Sequence, residues 1–327
     1  MYANFASAWR KETGEDLFIT RQAKVVGKAL NLKTGSGQRL MCQLLRTQPQ
    51  EKKFEIEPLY LQAVNNATQF IYIENQYFRW PPLAEAIKQA ALGQTCGGRD
   101  PGLHGALHLF VVTNATDDGI GAGTVNTQRM IEGLGRAETI PQVTKLRRIE
   151  QVKKNAPPRP RLDGPNDYMG RRAQEKWEAE LDGQIKEIQE STITPEEIPG
   201  LKVHLCSLVA PDSPAGQPWT PVYIHSKLMI VNDVFTTHGS ANINTRSMQV
   251  DSELNIAHEW ASETQKLRRR LWKLHTGGEG VQDNPREAFD TWKELIDDNG
   301  RHQKDGVPPQ CSLVELFYGK AVLKGLD

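Results

Sequence analysis

The chain has 327 residues, 38% of them hydrophobic and 24% charged, with 40 basic side chains against 40 acidic ones. That length can bury a substantial core in one large domain or two ordinary ones, while the zero formal charge argues against non-specific nucleic-acid binding, which draws most of its affinity from phosphate neutralisation. No run approaches the roughly 20 apolar residues of a membrane span, and the first residues lack the basic start and apolar run of a signal peptide.

Residues 1 to about 22 read as a short helix and its exit, with Asn4, Phe5, Ala8 and Trp9 at helical spacing and Gly14 behind them. Residues 23–38, rich in Gly and Lys, read as a loop or linker. Leu40 to Arg46 is a predicted strand, Pro58 to Thr68 a helix, and Gln69 to Asn75 a buried strand ending in polar residues. Pro82 to Leu92 reads as a helix, with a loop from Gly93 to Gly105 behind it. Leu107 to Thr113 is nearly continuously apolar, as a strand covered on both faces is.

From Asn114 to about Gly200 the pattern weakens. Gly119, Gly121 and Gly123 lead into a helix near Thr127 to Leu134. A Pro- and charge-rich run follows from Lys145 to Arg172, then a charged helix near Arg172 to Gln189. The stretch reads as an insertion over the mouth of a site, part of it mobile. Strands return at Leu201 to Val209, Val222 to Val231, Val234 to Thr237 and Glu253 to His258. A basic helix, Glu263 to His275, presents Leu267, Leu271 and Leu274 inward, and a last helix spans Pro285 to Asp297. Strands alternating with helices, several uniformly apolar, predict an α/β sandwich with a mostly internal sheet. The four cysteines, Cys42, Cys96, Cys206 and Cys311, have no metal-ligand spacing and read as reduced thiols, mostly packing residues.

The informative segment runs His225-Ser226-Lys227-Leu228-Met229-Ile230-Val231-Asn232, then Gly239-Ser240-Ala241-Asn242, then Asp251-Ser252-Glu253. On a strand His225 and Lys227 share a face. A cation beside an imidazole suits a phosphate, since Lys supplies charge and donors and His titrates near neutral pH. Small polar groups at the Gly239–Asn242 turn suit phosphate oxygens, and a carboxylate at Glu253 suits the far imidazole nitrogen as an orienting group.

His225-x-Lys227 followed by Gly239-Ser240-x-Asn242 resembles the signature motif of the phospholipase D superfamily. The stretch Ile224 to Glu253 is similar to the second such motif of two-motif members, and Ile71 to Phe78 to the segment between their motifs. The resemblance implies a phospholipase D-like α/β/α sandwich with a mixed, largely internal sheet, as one of two halves. It implies a remnant helix and linker at 1–38, a catalytic half at 39–275 with its insertion at about 114–200, and a C-terminal helical extension at 276–327.

It further implies phosphodiester hydrolysis through a phosphohistidine, without metal or other cofactor. His225, Lys227, Glu253 and Asn232 would be catalytic, and Ser240, Asn242 and Asn75 would hold the substrate phosphate. A softer likeness points to bacterial antibacterial lipases of type VI secretion. The implied partners are a phospholipid at a membrane surface, a first-motif half or a homodimer partner, and a secretion component or immunity protein; nucleic acid is disfavoured. The chain reads as cytoplasmic as made, with export lacking a signal peptide and peripheral membrane association both open.

Two departures bear on activity. The acidic position of the motif holds Asn232, with Asp233 beside it, and no other His-x-Lys is expected in the chain. Phosphodiester transfer of this kind needs two facing histidines, so the second must come from another half or another copy. A cardiolipin synthase-like transferase, a nuclease of the same superfamily and a catalytically silent fragment are the rival readings.

Overall fold

The computed structural model describes residues 2–20 and 39–325. Two compact units divide at residue 44. The first holds α1 (Tyr2–Thr13) and α2 (Leu17–Thr20). Gly14, at φ 76°, ends α1 with its N–H on Arg10 O at 2.9 Å, a left-handed stop that glycine adopts without a Cβ penalty. The linker expected at 23–38 lies wholly within positions 21–38, outside the described residues.

β1 (Gln43–Gln48), in the second unit from Leu45 on, and β2 (Lys53–Phe54) lead to α3 (Ile56–Asn65). β3 (Phe70–Asn75), α4 (Pro81–Cys96), the one-turn α5 (Pro101–His104) and β4 (Leu107–Val112) follow. A π-helical turn at Asp117–Gly121 precedes α6 (Thr124–Gly133), α7 (Pro141–Asn155) and α8 (Tyr168–Glu190). Next come β5 (Leu201–Val209), β6 (Pro221–Val222), β7 (Lys227–Val231) and β8 (Phe235–Gly239). The chain continues with α9 (Thr245–Gln249), β9 (Glu253–His258), α10 (Ala261–His275), α11 (Pro285–Asp305) and β10 (Leu313–Glu315).

The strands form one mixed sheet in the order β10-β5-β4-β3-β7-β8-β9-β1-β2, with β6 on β5. β3, β4 and β5 run parallel, and β7 lies antiparallel to β3. Every residue of β3, β4 and β7 is buried, because helices cover both faces. Ile71, Ile73, Leu109, Val111 and Met229 meet α3, α4 and α6 on one face. Phe70, Tyr72, Phe110, Leu228 and Ile230 meet Trp272 of α10 and Trp292 of α11 on the other. The fold is therefore an α/β sandwich around a mixed sheet.

Several local expectations change. Lys145 to Arg172 is not a continuous loop: α7 occupies Pro141–Asn155, started by a proline at its first position, where the missing N–H costs nothing. The bonds tying down the α7–α8 stretch run from Glu196 N–H to Gly135 O, Lys145 to Gln189 O, and Arg148 to Glu132, none of them to a predicted site residue. Helix α11 extends past Asp297 to Asp305 because Asn299, fully buried, bonds Cys311 O, Leu313 O and Gln310 N–H. The C-terminal segment thereby adds β10 to the same sheet. In α10 the buried stripe is Thr264, Arg268, Trp272 and His275, while Leu274 is exposed. Cys206 and Cys311 are packing residues, but Cys42 and Cys96 are exposed.

Burial also sets one acid-sensitive group. His204 stacks on Phe289 at 3.7 Å between ring centroids, and burial holds its imidazole down to about 4. Between pH 6.5 and about 4 the unfolded chain takes a proton that the folded one refuses, so stability falls as pH drops. Urea midpoints from pH 7 to 4 should show a loss of up to about 3 kcal/mol through this group. His204→Gln should flatten that limb.

Candidate functional site

Expected strand Val222 to Val231 is interrupted. β6 ends at Val222 and β7 begins at Lys227, leaving residues 223–226 out of regular pairing. The cause is Asn114, just beyond β4, whose Oδ1 accepts from Ile224 N–H and whose Nδ2 donates to Ile224 O, both at 2.8 Å. One side-chain amide thus replaces a strand neighbour. His225 consequently stands exposed, whereas Lys227 is 8% exposed. Among the described residues nothing hydrogen-bonds either ring nitrogen of His225, and Tyr223 stacks loosely beside it at 6.4 Å.

Lys227 pairs in register with Asn75, so the two side chains share a face. Its ammonium donates to Gln76 Oε1 at 2.7 Å and to His225 O at 2.9 Å, which leaves one of three donors. Burial lowers its pKa, opposed by the charge of Glu253. Gln76 is fixed in turn by Tyr223, whose hydroxyl accepts from Nε2 at 2.8 Å.

Asn75 is fully buried, and its Oδ1 accepts from Tyr77 and Ile243 N–H. Those two donors fix the amide's orientation, and its Nδ2 is left without a partner among the described residues. The enclosed Oδ1 of Asn242 is likewise unpartnered. An unused buried donor of this kind suits a ligand oxygen.

The Gly239–Asn244 loop is stitched to β3's exit by the Phe78–Ile243 bridge and to β9 by Asn255, whose Oδ1 accepts from Ala241 N–H. Gly239 has no substitute here: a Cβ would lie 2.3 Å from Leu254 O. Glu253 differs from expectation. Its two oxygens accept from the hydroxyls of Ser240 and Ser247, the latter at 2.6 Å, and no bond joins it to His225 among the described residues. Asn244 caps α9 and presents Ser247 for this contact. Glu253 therefore positions the Ser240 loop, not the imidazole.

Asn232 is also reassigned. It sits at the far end of β7, roughly 16 Å of strand from Lys227. Its Oδ1 accepts from three backbone N–H groups, of Thr68, Gln69 and Phe70, at 3.2, 2.9 and 3.2 Å. Its φ of 54° is left-handed, a region asparagine tolerates. The residue ties β7 to the start of β3. Asn232→Asp keeps the acceptor and should change stability by no more than about 1 kcal/mol, whereas Asn232→Ala should cost about 2 kcal/mol or more. Chemical denaturation of the three proteins checks both.

Behind the site, Glu74 faces the opposite side of the sheet and binds Ser226, Tyr72 and His275. Burial pushes its pKa up, but the hydrogen bonds and charge of His275 and the hydroxyls of Ser226 and Tyr72 outweigh it and hold the carboxyl low. A second His-x-Lys does occur, His302-Gln303-Lys304, at the end of α11. Pro309 stands where the motif's polar residue belongs, and the His302 ring is bonded to Pro308 O, so it is not a second motif. Beside the Ile224 segment, a cavity of about 550 Å³ is lined by Asn114, Thr116, Val222, Lys304 and Phe317 among others.

Residues missed by sequence reasoning are thus Asn114, Gln76, Ser226, Ser247, Asn255 and His275. Only Asn114 and Gln76 carried a signal, as polar residues at the ends of apolar strands.

Phospholipase D delta of Arabidopsis thaliana is 26% identical over 286 residues, 74% of this chain and 29% of that protein. Phospholipase D alpha 4 of the same plant is 46% identical over 70 residues, 19% of this chain and 9% of its own length. These matches support membership of the phospholipase D superfamily. The chain spans less than a third of either phospholipase D relative. No protein-family model matches. Among solved structures, NucT from Helicobacter pylori aligns with a TM-score of 0.37 at 12% identity, over 72% of this chain and 95% of its own.

Proposed function

We propose that this chain supplies one histidine and the phosphate-holding groups of a phospholipase D-type hydrolase that cleaves phospholipid headgroups. The observation that carries the reading is the exposed His225 beside the partly desolvated Lys227 ammonium, with the spare Asn75 donor on Lys227's face of the sheet. The curated relatives that match are named as phospholipases D, which favours a phospholipid over a nucleic acid.

Lys227 and Asn75 would hold the non-bridging phosphate oxygens, and charge there stabilises the transition state. A histidine from another half or copy attacks phosphorus, and the bond to the headgroup oxygen breaks. His225, protonated, gives its proton to the leaving alcohol. It then takes a proton from water, whose oxygen attacks phosphorus and releases the phosphohistidine as phosphatidic acid and free imidazole. Asn232 lies outside this chemistry, which favours an intact site over a silent one.

Mixed vesicles of phosphatidylcholine and phosphatidylethanolamine test the proposal. Release of choline or ethanolamine with phosphatidic acid supports it. Cleavage of a DNA substrate, with no lipid turnover in any oligomeric form or with an added first-motif half, would contradict it.

A further inference from the structure

The segment carrying His225 has left the sheet ladder, so something other than strand pairing must hold it. Its holding contacts are Asn114 on Ile224, Gln76 Nε2 on the Tyr223 hydroxyl, Gln76 N–H on Ser226 O at 3.0 Å, Lys227 Nζ on His225 O at 2.9 Å, and the Ser226 hydroxyl on Glu74 Oε1. Lys227 acts from the phosphate face, whereas Glu74 holds the segment from the reverse face, where it is 7% exposed within an apolar layer. A carboxylate there carries a desolvation penalty unless its oxygens are bonded. Both are, since Oε2 accepts from Tyr72 Oη at 2.7 Å and contacts His275 Nε2 at 2.9 Å. His275 is the last residue of α10 and is itself buried.

We infer that Glu74, held by His275 and Tyr72, is a positioning residue that clamps Ser226 from the reverse face and so sets where His225 stands. The alternation of β3 produces the arrangement. Asn75 points to the phosphate face beside Lys227, and Glu74, one residue earlier, points to the opposite face. Ser226, just ahead of β7, turns its hydroxyl to that same reverse face, and Lys227 after it points to the phosphate face. Its hydroxyl is the handle by which a buried charge fixes an otherwise unpaired tetrapeptide. The clamp touches neither substrate nor reacting atoms, so its loss displaces His225 while leaving phosphate-binding groups in place.

The effect on turnover rests on the proposed hydrolase reading, so the first readout needs no turnover. The imidazole proton resonances of His225, assigned by their disappearance in His225→Ala, are compared in wild type, Glu74→Gln, Ser226→Ala and the double variant. The expected result is a shift in each single variant and no further shift in the double. In the active assembly, kcat should fall by about 10- to 100-fold in Glu74→Gln, as for a small misplacement of a reacting group, with KM changed less than about twofold. Should Glu74→Gln not fold, Ser226→Ala, at a half-buried position, carries the same comparison. Unchanged His225 resonances in the single variants, or additive shifts in the double, would overturn the inference. Shifts as expected, with no lipid turnover in any oligomeric form or with an added first-motif half, would instead uphold the clamp and sink the hydrolase reading.

Discussion

His225→Ala should lower phospholipid hydrolysis by about 10²- to 10⁴-fold, the span expected when a positioned acid–base group is removed. It should do so with little cost to the fold. The His225 side chain is exposed and makes no hydrogen bond among the described residues, and surface substitutions of that kind stay within about 0.5 kcal/mol. Hydrolysis rates and urea midpoints measured side by side separate the two effects. Lys227→Ala is a poorer probe, since it also frees Gln76 Oε1 inside the sheet. A His225→Ala protein retaining wild-type turnover would place the chemistry elsewhere.

The largest expected stability loss lies at the other end of the sheet. Arg268 is 1% exposed, yet all five of its N–H donors are used. Nε and Nη2 fork onto Asp233 at 2.8 and 2.6 Å, Nη2 also reaches Asp283 at 2.7 Å, and Nη1 bonds Val281 O and Gln282 O. The guanidinium also stacks over Trp272 at 4.6 Å. Removing one partner of a buried pair leaves the other uncompensated, so Arg268→Ala should cost about 3 to 5 kcal/mol. Asp283, half exposed, contributes little to that figure because water screens it. Arg268→Lys should recover only a small part, since an ammonium cannot match the fork. Urea unfolding of both variants at pH 7 checks the order. Equal stability of wild type and Arg268→Ala would show that the pair holds nothing.

What the sequence made legible follows from periodicity. β4 and β5 read directly, because Leu107–Val112 is apolar but for His108 and Leu201–Val209 is mostly apolar, as a sheet covered on both faces demands. The central strand β3 appeared one residue long at its start. Side-chain interactions that imitate or replace backbone pairing were not legible. Asn114 ends β6 early by bonding Ile224, and no pattern within residues 222–231 announces it. Helix α7 was hidden because its charged residues carry little apolar periodicity, and α11 ran on because of the tertiary bonds of Asn299.

The candidate site divides the same way. His225, Lys227, Ser240, Asn242 and Asn75 were legible as residue types at motif spacing, and the structure brings Lys227 and Asn75 onto one face. Which acid meets which partner was not. Glu253 turned to Ser240 and Ser247 because α9, a five-residue helix capped by Asn244, delivers a hydroxyl to it. Asn232 kept a motif position while serving the β3–β7 junction, where an amide oxygen accepts backbone N–H groups as a carboxylate would.

On the proposed function, His225 is one of two histidines and the other comes from outside this chain. The direct measurement is headgroup release by the purified chain and by His225→Ala, with mass followed by light scattering and with a first-motif half added in parallel. Turnover confined to a dimer or to the mixed halves, and lost in His225→Ala, is the predicted result. Full turnover by a monomer would contradict it.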